Sequence, residues 1–89
     1  MERVELNIKG RVQGVFFRAN TQKKAQKLNI TGFVRNTHDG NVEVIAEGER
    51  SVLEGLINWC YKGPPLAKVE DIEINWIKAT GEFLSFYII

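Results

Sequence analysis

Arg18 stands at the predicted start of a helix, directly after a segment that contains Gly10 and Gly14. Glycine allows a sharp turn in which successive N–H groups face inward and form a concave anion site. A helix N-terminus adds unpaired amides and a positive dipole end, and a guanidinium can hold two phosphate oxygens in parallel. The residues therefore predict a phosphate site, although a plain glycine turn beside a solvated arginine fits them at least as well.

This segment lacks the residue types that several known classes of phosphate-binding enzyme use. The glycine spacing does not match the Walker pattern, so nucleotide binding is unsupported. Val12 stands where a phosphocysteine enzyme would carry its thiolate, and the single cysteine, Cys60, falls on an apolar helix stripe. The single histidine, His38, falls in a predicted turn, and no His, Asp and Glu cluster has metal-ligand spacing. We therefore expect a site with no covalent nucleophile, no metal and no cofactor.

Hydrophobic periodicity predicts the order β-α-β-β-α-β, followed by a short terminal strand. The predicted elements are a strand at 4–8, a helix at 18–28, strands at 30–37 and 42–47, a helix from 51 to 62, a strand at 69–77 and a last strand around 84–88. This order is typical of an α+β, ferredoxin-like fold, in which two helices cover one face of an antiparallel sheet.

Local signals mark the ends of several elements. Asp39 and Gly40 predict a tight hairpin between the second and third strands. Ser51 followed by Glu54 predicts a capping box at the start of the second helix, which Gly63 ends. In the terminal strand, alternation places the side chains at positions 84, 86 and 88 on one face.

Composition narrows the function classes further. The 89 residues are enough for one domain spanning 1–89, and 12 basic against 11 acidic residues give a net charge of +1. That balance argues against a strongly basic nucleic-acid binder. No apolar run is long enough to cross a membrane, and the N-terminal residues alternate between polar and apolar, so we expect no signal region there. With one cysteine and no disulfide framework, we expect a cytoplasmic protein, and because it is a lone small domain we expect a monomer.

Three stretches of the chain then resemble one known family. The segment Gly10-Arg11-Val12-Gln13-Gly14-Val15-Phe16-Phe17-Arg18 is similar to the signature loop of the acylphosphatase family. The segment Gly32-Phe33-Val34-Arg35-Asn36, continued by Gly40, Val42 and Gly48, resembles its second signature, and residues 63–69 resemble the segment after its second helix. The resemblance covers essentially the whole chain in the expected order.

The resemblance implies an activity and a set of site residues. Acylphosphatases hydrolyse the carboxyl–phosphate bond of small acyl phosphates, releasing a carboxylate and inorganic phosphate. By this resemblance, Arg18 binds the phosphoryl group and Asn36 positions the attacking water. The backbone amides implied in phosphoryl binding are those of Gln13, Gly14, Val15, Phe16, Phe17 and Arg18.

Two other classes of function are compatible with parts of the pattern. Small domains with this element order also bind RNA by stacking bases on aromatic residues of the sheet. Here Phe16 and Phe17 precede a helix instead of lying along a strand, and the net charge is low, so we expect no nucleic-acid partner. A non-catalytic anion-binding module could use the same loop. An assay of phosphate release from an acyl phosphate distinguishes the two functions, because a folded protein that releases no phosphate would favour the module.

Overall fold

The structure, a computed structural model, describes all 89 residues, from Met1 to Ile89. It has five strands and two helices in the predicted order. The elements are β1 (Glu2–Arg11), α1 (Phe17–Lys27), β2 (Thr31–Asn36), β3 (Val42–Gly48), α2 (Arg50–Lys62), β4 (Lys68–Lys78) and β5 (Phe86–Ile88). Neither helix combines the length and the apolar character that crossing a bilayer requires.

The strands form one sheet in the order β4-β1-β3-β2-β5. The pairs β1–β3, β1–β4 and β2–β3 are antiparallel, whereas β5 runs parallel to β2. This arrangement confirms the ferredoxin-like α+β prediction and adds the direction of the short terminal strand. Because β5 is parallel to β2, the carboxyl ends of both strands lie at the same end of the sheet.

Alternation along the strands separates a buried face from an open face. Val4, Leu6 and Ile8 of β1 are at most 1% exposed and face the helices, and their neighbours Glu5 and Asn7 lie on the other face. The buried residues of both helices pack onto this layer and complete a core of 18 residues. This packing decides which side of each strand carries apolar residues.

The helices meet where the chain turns at Gly63. Its φ of 65° ends α2, as the sequence predicts, and a Cβ there would lie 2.8 Å from the ring of Phe17. That ring also packs against Trp59 of α2, with the ring centroids 5.7 Å apart. Phe17, the first residue of α1, is therefore fixed in the core, which anchors the start of that helix.

Two local predictions from the sequence are wrong. Helix α2 begins at Arg50 with Glu49 as its N-cap, and no side chain caps it, so Ser51 and Glu54 do not form a capping box. The Glu49 carbonyl already accepts the N–H of Leu53 at 2.9 Å, which moves the helix start ahead of Ser51. Leu84 is 90% exposed, because β5 begins only at Phe86 and the preceding residues follow a separate path across the open face.

Glu47 holds that path in place. Its carboxylate is buried and accepts hydrogen bonds from the N–H groups of Thr80 and Gly81, both at 2.9 Å, and from the Thr80 hydroxyl at 3.1 Å. Arg3 adds an ion pair, with Nε 3.2 Å from Oε2 but not aligned for a hydrogen bond. Burial by itself raises the pKa of Glu47, yet these hydrogen bonds and Arg3 lower it by more, so that the net pKa is below its usual value.

Replacing Glu47 with Gln should lower the free energy of unfolding at pH 7 by about 2–4 kcal/mol, because the neutral amide leaves buried donors and Arg3 poorly paired. The folded-state pKa lies below the ordinary 4.5. The ionised carboxylate therefore stabilises the fold fully above about pH 4.5 and progressively less as the pH falls through the folded-state pKa.

Urea unfolding of wild type and Glu47→Gln between pH 7 and pH 2 measures this difference, which should shrink as the pH falls. The matched control is Glu70→Gln on β4, which is exposed and forms no ion pair, and should change stability by less than about 0.5 kcal/mol. A Glu47→Gln difference that stays constant with pH would contradict the role of the charge.

Candidate active site

One cleft of about 340 Å³ lies where the start of α1 meets the end of β2. It brings together Arg18 and Asn36, the two side chains whose chemical roles the resemblance implies. The cleft is lined by Val12, Gly14, Phe16, Phe17, Arg18, Ala19, Asn36 and Ile88.

The connection between β1 and α1 turns through two residues of positive φ. Gly14 has φ 74°, and a Cβ at this position would meet nothing within 4 Å, so only the backbone conformation favours glycine. Phe16, with φ 66°, is the N-cap of α1 and forms no side-chain cap hydrogen bond. The first turn of α1 contains no acidic residue, so the positive end of the helix dipole is not neutralised there.

The backbone N–H groups of this connection have no partner within the protein. None of the amides from Gln13 to Phe16 donates a hydrogen bond to another protein group. The first residues of α1 also lack an acceptor, since the N–H of Asn20 is the first to bond, to the carbonyl of Phe16 at 3.2 Å. A continuous run of free donors therefore lies beside the cleft, and such a run suits an anion.

Arg18 adds an unpaired positive charge to the cleft. Its side chain is exposed and takes part in none of the six ion pairs of the protein. Arg35, by contrast, pairs with Glu43 at 2.5 Å. No carboxylate lines the cleft, so the guanidinium is available to a bound anion.

Asn36 is the last residue of β2 and lies on the helix-facing side of the sheet, two residues after the buried Val34. Its Oδ1 atom is enclosed by the protein and has no hydrogen-bond donor in reach. Leaving a buried acceptor unsatisfied costs about 1–3 kcal/mol, so the fold alone does not account for an asparagine at this position.

Gln13 and Val15 do not contribute side chains to the cleft. The Gln13 carboxamide instead donates to the carbonyls of Thr37 and Asn41, both at 2.8 Å, and so ties the loop to the β2–β3 turn. These contacts join residues 24 and 28 positions apart, and no local sequence signal indicates them. Val15 is 5% exposed and packs in the core. Their backbone amides remain unbonded, as described above.

Ile88 lines the cleft although the sequence does not single it out as a site residue. It pairs with Val34 across the parallel β2–β5 pair. Paired residues of adjacent strands point to the same face, so Ile88 and Asn36 share the side of the sheet that faces the cleft. The alternation of the terminal strand predicts which face Ile88 occupies but not which strand it lies beside.

Comparisons with known proteins agree on one family. The family model described as Acylphosphatase matches residues 4–88. Two proteins named Acylphosphatase are similar over the whole chain: that of Methylococcus capsulatus is 45% identical, with 100% of this chain and 97% of the relative covered, and that of Roseiflexus sp. is 47% identical, with 100% and 96% covered. The crystal structure of acylphosphatase from Bacillus subtilis superposes with a TM-score of 0.96 at 35% identity, covering 100% of this chain and 99% of that one.

The conformation of the loop generates a test with a matched control. Gly14→Ala should lower the free energy of unfolding by about 1 kcal/mol, because the added methyl group meets no atom and only the positive φ is penalised. Gly55→Ala, on an exposed turn of α2 and equally free of contacts, should raise stability by about 0.5–1 kcal/mol. Urea denaturation of the three proteins checks both signs, and a stabilised Gly14→Ala variant would contradict the loop conformation.

Proposed function

Because the chain belongs to the acylphosphatase family, whose members hydrolyse acyl phosphates, we propose that Arg18 and the loop amides hold the phosphoryl group while Asn36 orients the attacking water. The observation that carries this proposal is the single cleft that Arg18 and Asn36 share, beside N–H groups without a partner. The products are a carboxylate and inorganic phosphate.

Binding of the phosphoryl group rests on charge and on donors already in place. The guanidinium of Arg18 can grip two phosphoryl oxygens at once, and the amides from Gln13 to Arg18 supply further hydrogen bonds. Hydrogen bonds to a charged group contribute about 1.5–3 kcal/mol each, roughly twice the value between neutral groups. Since the donors have no protein acceptor to give up, they lose no internal hydrogen bond when the substrate binds.

The Asn36 carboxamide can position the attacking water but cannot act as its base. It offers one acceptor and one donor, so it can hold and aim a water molecule, but it cannot take the proton at neutral pH. As the water oxygen bonds to phosphorus and the bond to the acyl oxygen breaks, the water proton passes to an oxygen of the phosphoryl group. The position of Asn36 in the cleft, together with Arg18, supports this role for the side chain.

The leaving group explains why so few residues suffice. A carboxylate is a weak base and departs without being protonated, so the site needs no general acid. Phosphoryl transfer through a loose transition state depends mainly on positioning and on stabilising the charge of the phosphoryl oxygens. Arg18, the amides and Asn36 supply those two requirements.

We also propose that residues 1–89 act as one domain, as a monomer and in the cytoplasm. Cys60 is a free, buried thiol whose pKa burial raises to about 12, so it is an inert part of the core and is compatible with a reducing compartment. The exposed edge strand β4 carries charged side chains at Lys68, Glu70 and Asp71, which oppose pairing with a second edge.

Arg18→Ala should lower kcat/KM for acetyl phosphate by about 10³–10⁵-fold, the range for losing an arginine that stabilises a transferring phosphoryl group. It should also weaken inhibition by inorganic phosphate and leave the circular dichroism spectrum unchanged. Arg18→Lys should recover only part of the loss, because an ammonium cannot form the two parallel hydrogen bonds.

The matched control for charge is Arg11→Ala, an exposed arginine near the same loop that does not line the cleft. Screening by salt should keep its effect within about threefold. Near-normal turnover by Arg18→Ala would remove Arg18 from the mechanism. A folded wild-type protein that releases no phosphate would instead favour a non-catalytic anion-binding module.

Asn36→Ala should reduce turnover of acetyl phosphate by about 10²–10³-fold, mostly in kcat, as expected for a group that orients the reacting atoms in the transition state. Asn58→Ala, an exposed asparagine on α2, is the control and should not change turnover. If steady-state kinetics of Asn36→Ala show a change in KM alone, the residue binds substrate and does not orient water.

A further inference from the structure

Two exposed apolar side chains border the cleft beside Arg18. Phe16 is 71% exposed and Ile88 is 40% exposed, and both line the cleft. Single exposed apolar residues are common on protein surfaces, but here two of them from distant parts of the chain meet at one site. The proposed binding of the phosphoryl group uses neither side chain.

Phe16 has a backbone conformation that bulky residues rarely adopt, so folding does not explain why this position carries an aromatic ring. Its φ of 66° lies in the left-handed region, where glycine and asparagine are favoured and bulky residues are rare. Phe17, the next residue, is buried and anchors α1, whereas the ring of Phe16 is mostly in solvent. The chain therefore holds an aromatic residue in a strained position from which its ring contributes little to the core.

Ile88 forms a second wall. It pairs with Val34, and the side chains of Val34, Asn36 and Ile88 lie on one face at the end of the sheet. Because β5 ends beside the end of β2, Ile88 reaches the cleft next to Asn36. The cleft volume of about 340 Å³ is at the lower end of the range for small-molecule sites, and is more than a phosphoryl group alone fills.

We propose that Phe16 and Ile88 form the subsite for the acyl group, and that the enzyme favours acyl phosphates whose acyl group is apolar, either aromatic or branched aliphatic. This inference rests on the proposed function of Arg18 and Asn36. The charges support it: the cleft contains one cation, which the phosphoryl group uses, and no carboxylate. An acyl group that carries its own charge would find no partner there, whereas an apolar group would cover exposed apolar surface.

The binding test uses two phosphate monoesters that differ only in their organic part. Wild type should bind phenyl phosphate about tenfold more tightly than methyl phosphate, since the ring covers additional apolar surface. In Phe16→Asn the preference should fall by at least about threefold, because asparagine accepts the positive φ but removes the ring. Ile88→Thr, which keeps a β-branched residue in the strand, should lower the preference by a similar factor.

Leu84→Asn is the matched control, because Leu84 is 90% exposed but lies before β5, away from the cleft. Its preference for phenyl phosphate should equal that of wild type. Equal affinities of wild type for the two esters, or a preference that survives both cleft substitutions, would overturn the subsite. If Phe16→Asn does not fold, Ile88→Thr alone decides.

A turnover arm separates this inference from the proposed function. The ratio of kcat/KM for benzoyl phosphate to that for acetyl phosphate should fall in both cleft variants relative to wild type, and taking each ratio against wild type cancels the intrinsic reactivity of the two substrates. If wild type hydrolyses neither substrate, the proposed function fails and the ester affinities still judge the subsite. If wild type hydrolyses both and the ratio does not respond to either substitution, the subsite fails and the hydrolysis stands.

Discussion

The two hydrogen bonds from the Gln13 carboxamide to the β2–β3 turn are the constraint on which the cleft depends. None of the N–H groups from Val12 to Phe16 donates a hydrogen bond within the protein to fix the loop. Its position is set instead by two buried side chains, Val12 and Val15, and by Gln13. A loop held by side chains keeps its amides free, whereas a loop held by its amides would have none to offer an anion. The same contact brings Asn36, which precedes the turn, to the side of the loop.

Keeping such a site ready costs stability, and the rest of the fold must offset it. The enclosed Oδ1 of Asn36 and the positive φ of Phe16 are each unfavourable in the folded chain without a ligand. The core of 18 buried residues and the Glu47 network provide the compensation. Glu47 pairs with Thr31 at one end of β2, whereas Asn36 pairs with Val42 at the other end. The charge that stabilises the fold is therefore separated from the charge that attracts the anion, so a bound phosphoryl group and the Glu47 carboxylate do not compete for the same donors.

Sequence alone predicts those parts of the structure that depend on neighbouring residues or on a repeating pattern. Alternation in β1 and the stop at Gly63 follow from backbone geometry, and both are confirmed. The capping box at Ser51 fails because a neighbouring residue, Glu49, competes for the same helix end. The contacts of Gln13 and the presence of Ile88 in the cleft depend on strand pairing across the whole chain, which no local pattern encodes. Only the resemblance to a family indicates Arg18 and Asn36 together, because the residues alone fit a solvated arginine at least as well as an anion site.

The chemistry of the leaving group also explains how an apolar wall can stand next to a charged site. An enzyme that had to protonate its leaving group would need an acidic side chain beside the scissile bond, and that residue would make this wall polar. A departing carboxylate removes the requirement, so the residues around the acyl group are free to select substrates by contact alone. In the proposed subsite, Phe16 and Ile88 take this position, and no acidic residue lines the cleft beside them. In the proposed mechanism, the phosphoryl end of the cleft is therefore constrained by charge and the acyl end by shape, and the two ends can vary independently.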